Sequence, residues 1–213
     1  MNTYLLHGAP GWGSALVEAQ LDWYGLPYRL VDCGDLFADD AARARLRPLN
    51  PVVQVPTLVL PDGQVMTESA AITLHLADIT GSDELVPGAH APERAAFLRW
   101  LVFMVANIYP TFTYADDPAR FVTGDEAAHK AFRGAVDAHA QRLWVAVEAA
   151  AATPWFLGAR LSALDIYLGV MTNWRPRRAW FAEHTPKVNA AALAAAAHPR
   201  LAACFARNFK PAA

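Results

Sequence analysis

The chain has 213 residues, of which 54% are hydrophobic and 18% are charged, a composition typical of globular rather than disordered proteins. Its 18 basic and 20 acidic side chains nearly balance, so charge gives no reason to expect nucleic acid or an anionic membrane as a partner. Two distant cysteines, Cys33 and Cys204, do not suggest a disulfide framework, and none of the seven histidines has a metal-ligand spacing. Without a leader pattern or an uninterrupted apolar run of membrane length, we expect a soluble cytoplasmic protein with no bound metal.

The first eighty residues alternate between strand and helix signals. Short apolar runs predict strands over 3–6 and 28–31, separated by a helix that begins at Ser14 and stops at Gly25. A short charged helix over 39–47 follows. A hairpin and a further helix complete the order β-α-β-α-β-β-α, which is a thioredoxin-like topology.

The hairpin and the helix after it carry the most specific pattern in the chain. Residues 57–60 predict a buried strand, 61–63 form a Pro-Asp-Gly turn, and 64–66 return as the second strand. Thr67 or Ser69 then suits the cap of a helix with apolar residues at helical spacing.

Pro56 stands directly before the first strand of this hairpin, where a proline removes no ladder hydrogen bond and where the Val55–Pro56 bond is a candidate cis peptide. Such a bend leaves the backbone N–H and C=O of Val55 available to an extended, peptide-like ligand. Glu68 and Ser69 add a carboxylate, a hydroxyl and the N–H groups of a helix start, which suit a ligand's ammonium and carboxylate. Taken singly, a strand-edge proline and a helix cap explain Pro56 and Ser69 equally well.

This arrangement of Val-Pro, hairpin, Glu-Ser and helix closely resembles the glutathione-binding half of the cytosolic glutathione transferases, in particular bacterial members of the serine type. In that family the valine backbone pairs with the cysteinyl part of glutathione, and the Glu-Ser pair holds the γ-glutamyl end. The resemblance implies that glutathione is the co-substrate and that five residues bind it: Gln54, Val55, Pro56, Glu68 and Ser69.

The strand signals stop after a Gly- and Pro-rich stretch, which divides the chain. We expect a thioredoxin-like glutathione-binding domain over 1–80, a linker over 81–91 and an all-helical domain over 92–213. The second domain begins with long predicted helices over 92–109 and 125–152. This α/β plus all-α architecture is that of the family, and the resemblance is strong in the first domain and pattern-level in the second.

Ser162-Ala-Leu-Asp165 is a capping-box pattern with Asp in place of Glu. The family places a similar box at the corresponding helix of its second domain. We therefore assign Ser162 and Asp165 a folding role rather than a catalytic one. The last predicted helices cover 190–197 and 200–209.

The thiol of a glutathione bound in this way should point towards the start of the first helix. A free thiol has a pKa of about 8.5, and lowering it by one unit requires about 1.4 kcal/mol. Ser14 falls where serine-type transferases carry their thiol-activating serine, and its hydroxyl or its backbone N–H would supply this stabilisation. Tyr4 and His7 are weaker rivals, and a simple helix cap also explains Ser14. The cysteine of cysteine-type members would fall at Gly13, which excludes a mixed-disulfide mechanism there.

The electrophile site is expected on the first helix of the second domain, where aromatic residues crowd together. Phe103, Asn107 and Tyr109 are the predicted substrate-binding residues, although core packing also explains an aromatic stripe. Trp12 stands where many bacterial relatives have a small residue. It is predicted to line the electrophile pocket or, alternatively, to pack against the helical domain.

Two functions from different classes are consistent with these residues. The resemblance implies a homodimeric glutathione transferase of the detoxification type, which stabilises the glutathione thiolate for attack on a small hydrophobic electrophile. The alternative is a non-catalytic glutathione-binding or scaffolding module, and relatives on the same fold also catalyse isomerisation and peroxide reduction. The sequence does not specify the electrophile, because acceptor pockets are built from variable loops and helices.

Overall fold

The computed structural model of the protein describes residues 3–209. The chain forms two compact units: the described residues up to Gly88 together with those from Leu193 onward, and the segment Ala89–Ala192. The predicted domain boundaries around 81–91 stay a prediction. The grouping of the residues after Leu193 with the first unit was not expected from the sequence.

The first unit contains the predicted thioredoxin-like order of strands and helices. Its elements up to Gly88 are β1 (Tyr4–Gly8), α1 (Ser14–Tyr24), β2 (Tyr28–Asp32), α2 (Asp40–Leu46), β3 (Thr57–Val59), β4 (Val65–Met66) and α3 (Ser69–Thr80). The four strands form one sheet in the order β2-β1-β3-β4. β1 and β2 are parallel, whereas β3 is antiparallel to both β1 and β4. The predicted mixed α/β fold is therefore confirmed.

Alternate residues of β1 are buried, because side chains along a strand point to opposite faces of the sheet. Tyr4 and Leu6 join side chains of α1, β3 and α3 in the core of the first unit. α1 and α3 end at Gly25 and Gly81, whose φ angles are 63° and 60°. This left-handed conformation costs an L-residue other than glycine roughly 1–2 kcal/mol, so both glycines are well suited to ending a helix.

The predicted cap of α3 was wrong. Glu68, with a φ of 63°, precedes the helix, and Ser69 is its first residue, so neither Thr67 nor Ser69 acts as the N-cap. Gly13 likewise precedes α1, and Ser14 is the first helical residue. Each backbone enters the helix one residue earlier than a polar cap at that serine requires.

The second unit is helical, as predicted. Its elements are α4 (Arg94–Phe103), a π-helical turn (Met104–Ile108), α5 (Tyr109–Asp116), a 3₁₀ turn (Pro118–Arg120), α6 (Glu126–Ala150), α7 (Ala163–Met171) and α8 (Arg178–His184). α9 (Pro186–Ala197) begins in this unit and crosses Leu193, after which α10 (Ala202–Asn208) belongs to the first unit. The predicted first helix ended too early, because Pro110 lies in the first turn of α5, where a missing N–H is tolerated.

The helical run Arg94–Asp116 spans 23 residues and is long and apolar enough to cross a membrane by length and composition alone. Within the structure, 39% of its most apolar window is buried. Core helices of water-soluble proteins commonly have the same length and composition. The expectation that the protein has no membrane partner stays a prediction.

The predicted capping box of α7 is confirmed. Asp165 accepts hydrogen bonds from the N–H of Ser162 at 2.8 Å and from its hydroxyl at 3.1 Å. The N–H of Phe156 donates to the same carboxylate at 2.8 Å. Asp165 has no solvent exposure, and this burial raises its pKa to about 6 although the three donors oppose the change. The carboxylate therefore fixes both α7 and the loop that precedes it.

We expect Asp165→Asn to lower the free energy of unfolding by about 1–3 kcal/mol at pH 7, because one amide oxygen cannot serve all three donors. The folded-state pKa lies above the ordinary value of 3.8, so the native state binds the proton more tightly than the unfolded chain. The contribution of this carboxyl to stability therefore increases as the pH falls from about 6 to about 4. The variant should lose that increase.

Asp125 offers a matched control, since it is the exposed N-cap of α6 and accepts from the N–H of Ala128 at 3.0 Å. Asp125→Asn should change stability by only a few tenths of a kcal/mol, because Asn caps helices as well as Asp does. Urea unfolding at pH 5 and pH 7 measures both variants. Equal pH dependence in the wild type and in Asp165→Asn would contradict the prediction.

Candidate functional site

The register of the sheet determines where the loop between β1 and α1 begins. His7 pairs with Thr57, so the next residue of β1, Gly8, lies level with Pro56 across the antiparallel pair. The chain leaves β1 at this point. The loop that leads to α1 therefore starts beside the Val55–Pro56 segment.

The hairpin brings the Glu-Ser pair to the same end of the sheet. Leu58 pairs with Met66. Val55 lies three residues before Leu58, and Ser69 lies three residues after Met66. Because the strands are antiparallel, both segments leave the hairpin at its open end. Three of the predicted site segments, at 12–14, 54–56 and 68–69, thus lie at one end of one sheet.

Ser14 holds the β1–α1 loop against the end of β1. It is 1% exposed, and its hydroxyl donates to the C=O of Ala9 at 3.1 Å and accepts from the N–H of Ala9 at 3.2 Å. A β-carbon on Gly8 would lie 2.2 Å from both Cβ and Oγ of Ser14, so only glycine fits there. Among residues 3–209, no hydrogen bond uses the backbone N–H of Gly13 or Ser14. Two N–H groups at the start of α1 are therefore available to a ligand.

Trp12 packs within the first unit. Its indole ring lies 5.1 Å from the ring of Phe37. Together with Val53 and Val55 it covers a small buried cluster formed by Cys33, Leu36, Ala42 and Leu46. Trp12 thus joins the β1–α1 loop to the segment that carries Val55, and its predicted contact with an electrophile stays a prediction.

Asn50 organises the loop before β3, a role that the sequence analysis missed. Its side chain is 5% exposed. Its Nδ2 donates to the C=O of Gln54 at 2.9 Å and to Oγ1 of Thr57 at 3.1 Å. Its Oδ1 accepts from the N–H of Val52 at 3.1 Å. The Thr57 hydroxyl donates to the same Gln54 carbonyl at 2.8 Å. The Asn-Pro pair at 50–51 was the available signal, since asparagine side chains commonly bond to the turn backbone.

The Val55–Pro56 peptide bond is cis, as predicted. In the described part of the chain, no hydrogen bond involves the backbone N–H or C=O of Val55. Val53, two residues earlier, has a φ of 58°, an outlier for a β-branched residue. Its N–H donates to the C=O of Asn50 at 2.9 Å. Backbone strain of this kind clusters at functional sites, where the surrounding structure maintains it.

Glu68 and Ser69 form the third segment. Glu68 is exposed and has a φ of 63°, again in the region that favours glycine. Ser69 is 7% exposed, and none of residues 3–209 forms a hydrogen bond with its hydroxyl. The first N–H groups of α3 have no partner within the helix. The segment therefore presents a carboxylate, a hydroxyl and backbone donors together.

Two rival thiol contacts occupy different positions on β1. Tyr4 is at the opposite end of the strand from Gly8, about 13 Å away at the rise of an extended strand. It belongs to the core, and burial raises its pKa. His7 is half-buried next to Gly8, and burial together with the Arg29 guanidinium lowers its pKa. Of the two, only His7 lies at the site end of the sheet.

The two cysteines are poorly suited to thiol chemistry. Both are buried and have no disulfide. Burial raises the pKa of Cys33 and of Cys204, so both are protonated thiols at neutral pH.

The predicted electrophile-binding residues of the second unit do not share one surface. The ring of Phe103 packs against Trp100 at 5.0 Å, whereas Tyr109 packs against Trp174 at 5.6 Å. Asn107 donates to the C=O of Phe103 at 3.3 Å and lines an open groove of about 360 Å³ between the π-helical turn, α5 and α6. The π-helical turn separates the residues, because its wider winding rotates the positions around Asn107 away from those of a regular helix.

The sequence of the first unit, and that of most of the chain, is similar to known proteins. The N-terminal domain model of glutathione S-transferase matches residues 17–79. The uncharacterised GST-like protein YncG of Escherichia coli K12 is 36% identical over 204 residues, which cover 95% of this chain and 97% of YncG. Glutathione S-transferase GST-4.5 of Xanthomonas campestris pv. campestris is 30% identical over 79% of this chain and 81% of that protein. The chain belongs to the glutathione transferase family.

Solved structures extend the likeness to both units. A glutathione transferase homologue from Sulfitobacter with bound glutathione has a TM-score of 0.81 at 22% identity over 95% of this chain and 97% of that chain. A sphingomonad glutathione S-transferase complexed with glutathione has a TM-score of 0.73 at 26% identity, with the same shares covered. The nitrogen regulation fragment of the yeast prion protein Ure2p has a TM-score of 0.77 at 18% identity over 95% of this chain and 96% of that one. The first and last of these show the fold alone.

We expect Gly8→Ala to destabilise the protein by about 1–3 kcal/mol, since the new methyl group would force Ser14 and the loop away from β1. Gly134 in α6 is the matched control, because its β-carbon would meet no atom within 4 Å. Gly134→Ala should stabilise the helix by about 0.5–1 kcal/mol. Thermal unfolding of the two variants measures the difference, and equal melting temperatures would show that the close approach at Gly8 is not restrictive.

Proposed function

We propose that the protein is a glutathione transferase that binds reduced glutathione at the open end of the sheet and stabilises its thiolate for attack on a small hydrophobic electrophile. The observation that supports this most is the meeting of the three segments at one end of the sheet. Each of them offers hydrogen-bonding groups that no described residue uses. The similarity to the glutathione S-transferases of Xanthomonas campestris and of a sphingomonad supports the same function.

In this proposal Val55 pairs through its backbone with the cysteinyl part of glutathione, and the cis Pro56 shapes the bend. Glu68 and Ser69 bind the γ-glutamyl end, a carboxylate accepting from the ammonium while the hydroxyl and N–H groups donate to the carboxylate. Gln54 contributes its backbone to the loop and its exposed side chain to the ligand.

The thiolate is assigned to the start of α1. The Ser14 hydroxyl already donates to and accepts from Ala9, so the backbone N–H groups of Gly13 and Ser14, which no described residue uses, are the better donors. They lie at the positive end of the helix dipole, which favours an anion. Catalysis would then consist of thiolate stabilisation and proximity, without a covalent enzyme intermediate.

The electrophile site, the homodimer and the cytoplasmic location belong to the same proposal. Phe103, Asn107 and Tyr109 do not share one surface, so they cannot all contact one electrophile. Asn107, which lines the open groove, and Trp12 are kept as two separate proposals for an electrophile contact. The homodimer rests on the family resemblance, which implies a two-fold association of subunits. Sedimentation of the purified protein measures this, and a monomer at high concentration would argue against the dimer.

A non-catalytic glutathione-binding module is the second candidate. Two observations favour it: the engaged hydroxyl of Ser14, and the fold shared with a nitrogen regulation fragment. Both candidates predict glutathione binding, and only the first predicts an altered thiol.

The thiolate absorbance of bound glutathione, titrated against pH, tests the proposal. We expect a bound-thiol pKa at least about one unit below the free value of about 8.5, equivalent to about 1.4 kcal/mol. Ser14→Ala should reduce that shift without abolishing it, because it retains the backbone N–H groups but loses the hydroxyl that holds the loop at Ala9. A shift abolished in Ser14→Ala would assign the contact to the hydroxyl, and binding without any shift in the wild type would favour the non-catalytic module.

Ser69→Ala should weaken glutathione binding about tenfold, since a hydrogen bond to a charged group contributes about 1.5 kcal/mol. Ser82, just beyond the other end of α3, accepts from the N–H of Glu84 at 3.3 Å and is the matched control. Ser82→Ala should leave the affinity unchanged. Calorimetry with glutathione measures both, and equal affinities in the two variants would remove Ser69 from the site.

A further inference from the structure

The last helix reaches the β1–α1 loop through one side chain. Asn208, the final residue of α10, accepts a hydrogen bond from the N–H of Gly11 at 3.0 Å, across 197 positions of sequence. Gly11 has a φ of 77°, and a β-carbon there would lie 3.2 Å from the carbonyl oxygen of Asn208. The loop and the end of α10 are therefore in close contact within the first unit.

The Asn208 amide is fully used. Its Nδ2 donates to Oε2 of Glu18 at 2.7 Å and to the C=O of Cys204 at 3.0 Å. A carboxylate only accepts and a backbone N–H only donates, so these partners fix which end of the amide faces Gly11. Rotating the side chain would break bonds at both ends at once.

α10 is also held on α1 by charge. Glu18 is 2% exposed and accepts from Nε of Arg207 at 2.9 Å, and Arg207 contacts Asp22 at 2.6 Å. Leaving a buried carboxylate without its cation strongly destabilises the folded state, so the ion pair between Glu18 and Arg207 holds α10 on α1. Glu18, Asp22 and Cys204 also place three possible metal-ligand atoms within 4.8 Å of one another. Since Arg207 and Asn208 donate into this cluster, it is explained as the anchor of α10.

We propose that Asn208 is a positioning residue for the β1–α1 loop. Asn208 holds the loop at Gly11, and the Ser14 hydroxyl holds the same loop two residues earlier, at Ala9. Together the two contacts restrain the backbone between them and the start of α1. The chemical consequence rests on the proposed function, because the N–H groups assigned to the thiolate follow directly after this segment.

The test compares two variants of the full chain. Asn208→Ala removes the contact with the loop. Arg200→Ala is the matched control, because Arg200 fixes the same C-terminal segment through Glu84 at 2.7 Å and through the Trp23 ring at 4.7 Å, without reaching the loop. Arg200→Ala loses both of these contacts, and Asn208→Ala loses its hydrogen bonds with Gly11, Glu18 and Cys204. Only Asn208→Ala loses a contact with the loop.

Amide hydrogen exchange at Ala9 and Trp12, whose N–H groups are hydrogen-bonded within the loop, is the first measurement and needs no glutathione. We expect about tenfold faster exchange in Asn208→Ala, since a lost hydrogen bond of about 1.4 kcal/mol corresponds to a factor of ten. The second measurement is the pKa of the bound glutathione thiol, which should rise by about half a unit or more as the loop shifts, with glutathione affinity within about twofold. Arg200→Ala should match the wild type in both.

Unchanged exchange in Asn208→Ala would overturn the inference, whether or not glutathione binds. A third outcome is that the wild type lowers the thiol pKa and Asn208→Ala exchanges faster but leaves that pKa unchanged. Asn208 would then be a structural anchor without an effect on the thiol. A wild type that does not lower the thiol pKa would instead overturn the proposed function, and the exchange data would still decide the anchoring. If Asn208→Ala melts far below Arg200→Ala, Asn208→Gln is the second variant. It keeps an amide and should restore slow exchange, and a failure to do so would also overturn the inference.

Discussion

The contact between Ser14 and the Gly8-Ala9 backbone is the constraint on which the rest of the site depends. One hydroxyl satisfies both polar groups of Ala9, and glycine at position 8 leaves the room that this close approach requires. The path of the chain from β1 into α1 is thereby fixed. That path ends at two N–H groups that none of residues 3–209 uses, so a packing constraint in the interior determines where the proposed anion site lies.

The loops before β3 and before α3 are also fixed by their surroundings, and there the backbone is strained. Val53 and Glu68 both have left-handed backbone angles that their side chains disfavour. Buried hydrogen bonds of Asn50 and the apolar cluster around Trp12 stabilise the first of them. The strain and the polar groups that no described residue uses lie at one end of the sheet, so the remainder of the first unit offsets a local cost that shapes the proposed binding surface.

Local patterns predicted the fold well, because strand periodicity, the Pro-Asp-Gly turn and the capping box of α7 depend on residues close together in sequence. The proline bend at Val55–Pro56 was predicted for the same reason, since it depends on the proline and the strand that follows it. The start of α1 at Ser14 is confirmed, whereas the cap of α3 at Thr67 or Ser69 was predicted wrongly, since a serine signals a helix start without specifying which hydrogen bond its hydroxyl forms. The partners of Asn208 were beyond such reasoning: no periodicity relates residues 197 positions apart, and only the tertiary fold brings them together.

The position of α10 has a consequence for biosynthesis. Translation proceeds from the N-terminus, so β1, α1 and the hairpin leave the ribosome before any residue of the second unit, and α10 follows after it. The N-terminal unit is therefore completed by a segment made later than the whole intervening unit. Until then Glu18 has neither Arg207 nor Asn208 as a partner, and a nascent or prematurely terminated chain would display a half-formed glutathione-transferase domain to the cell's quality-control proteases.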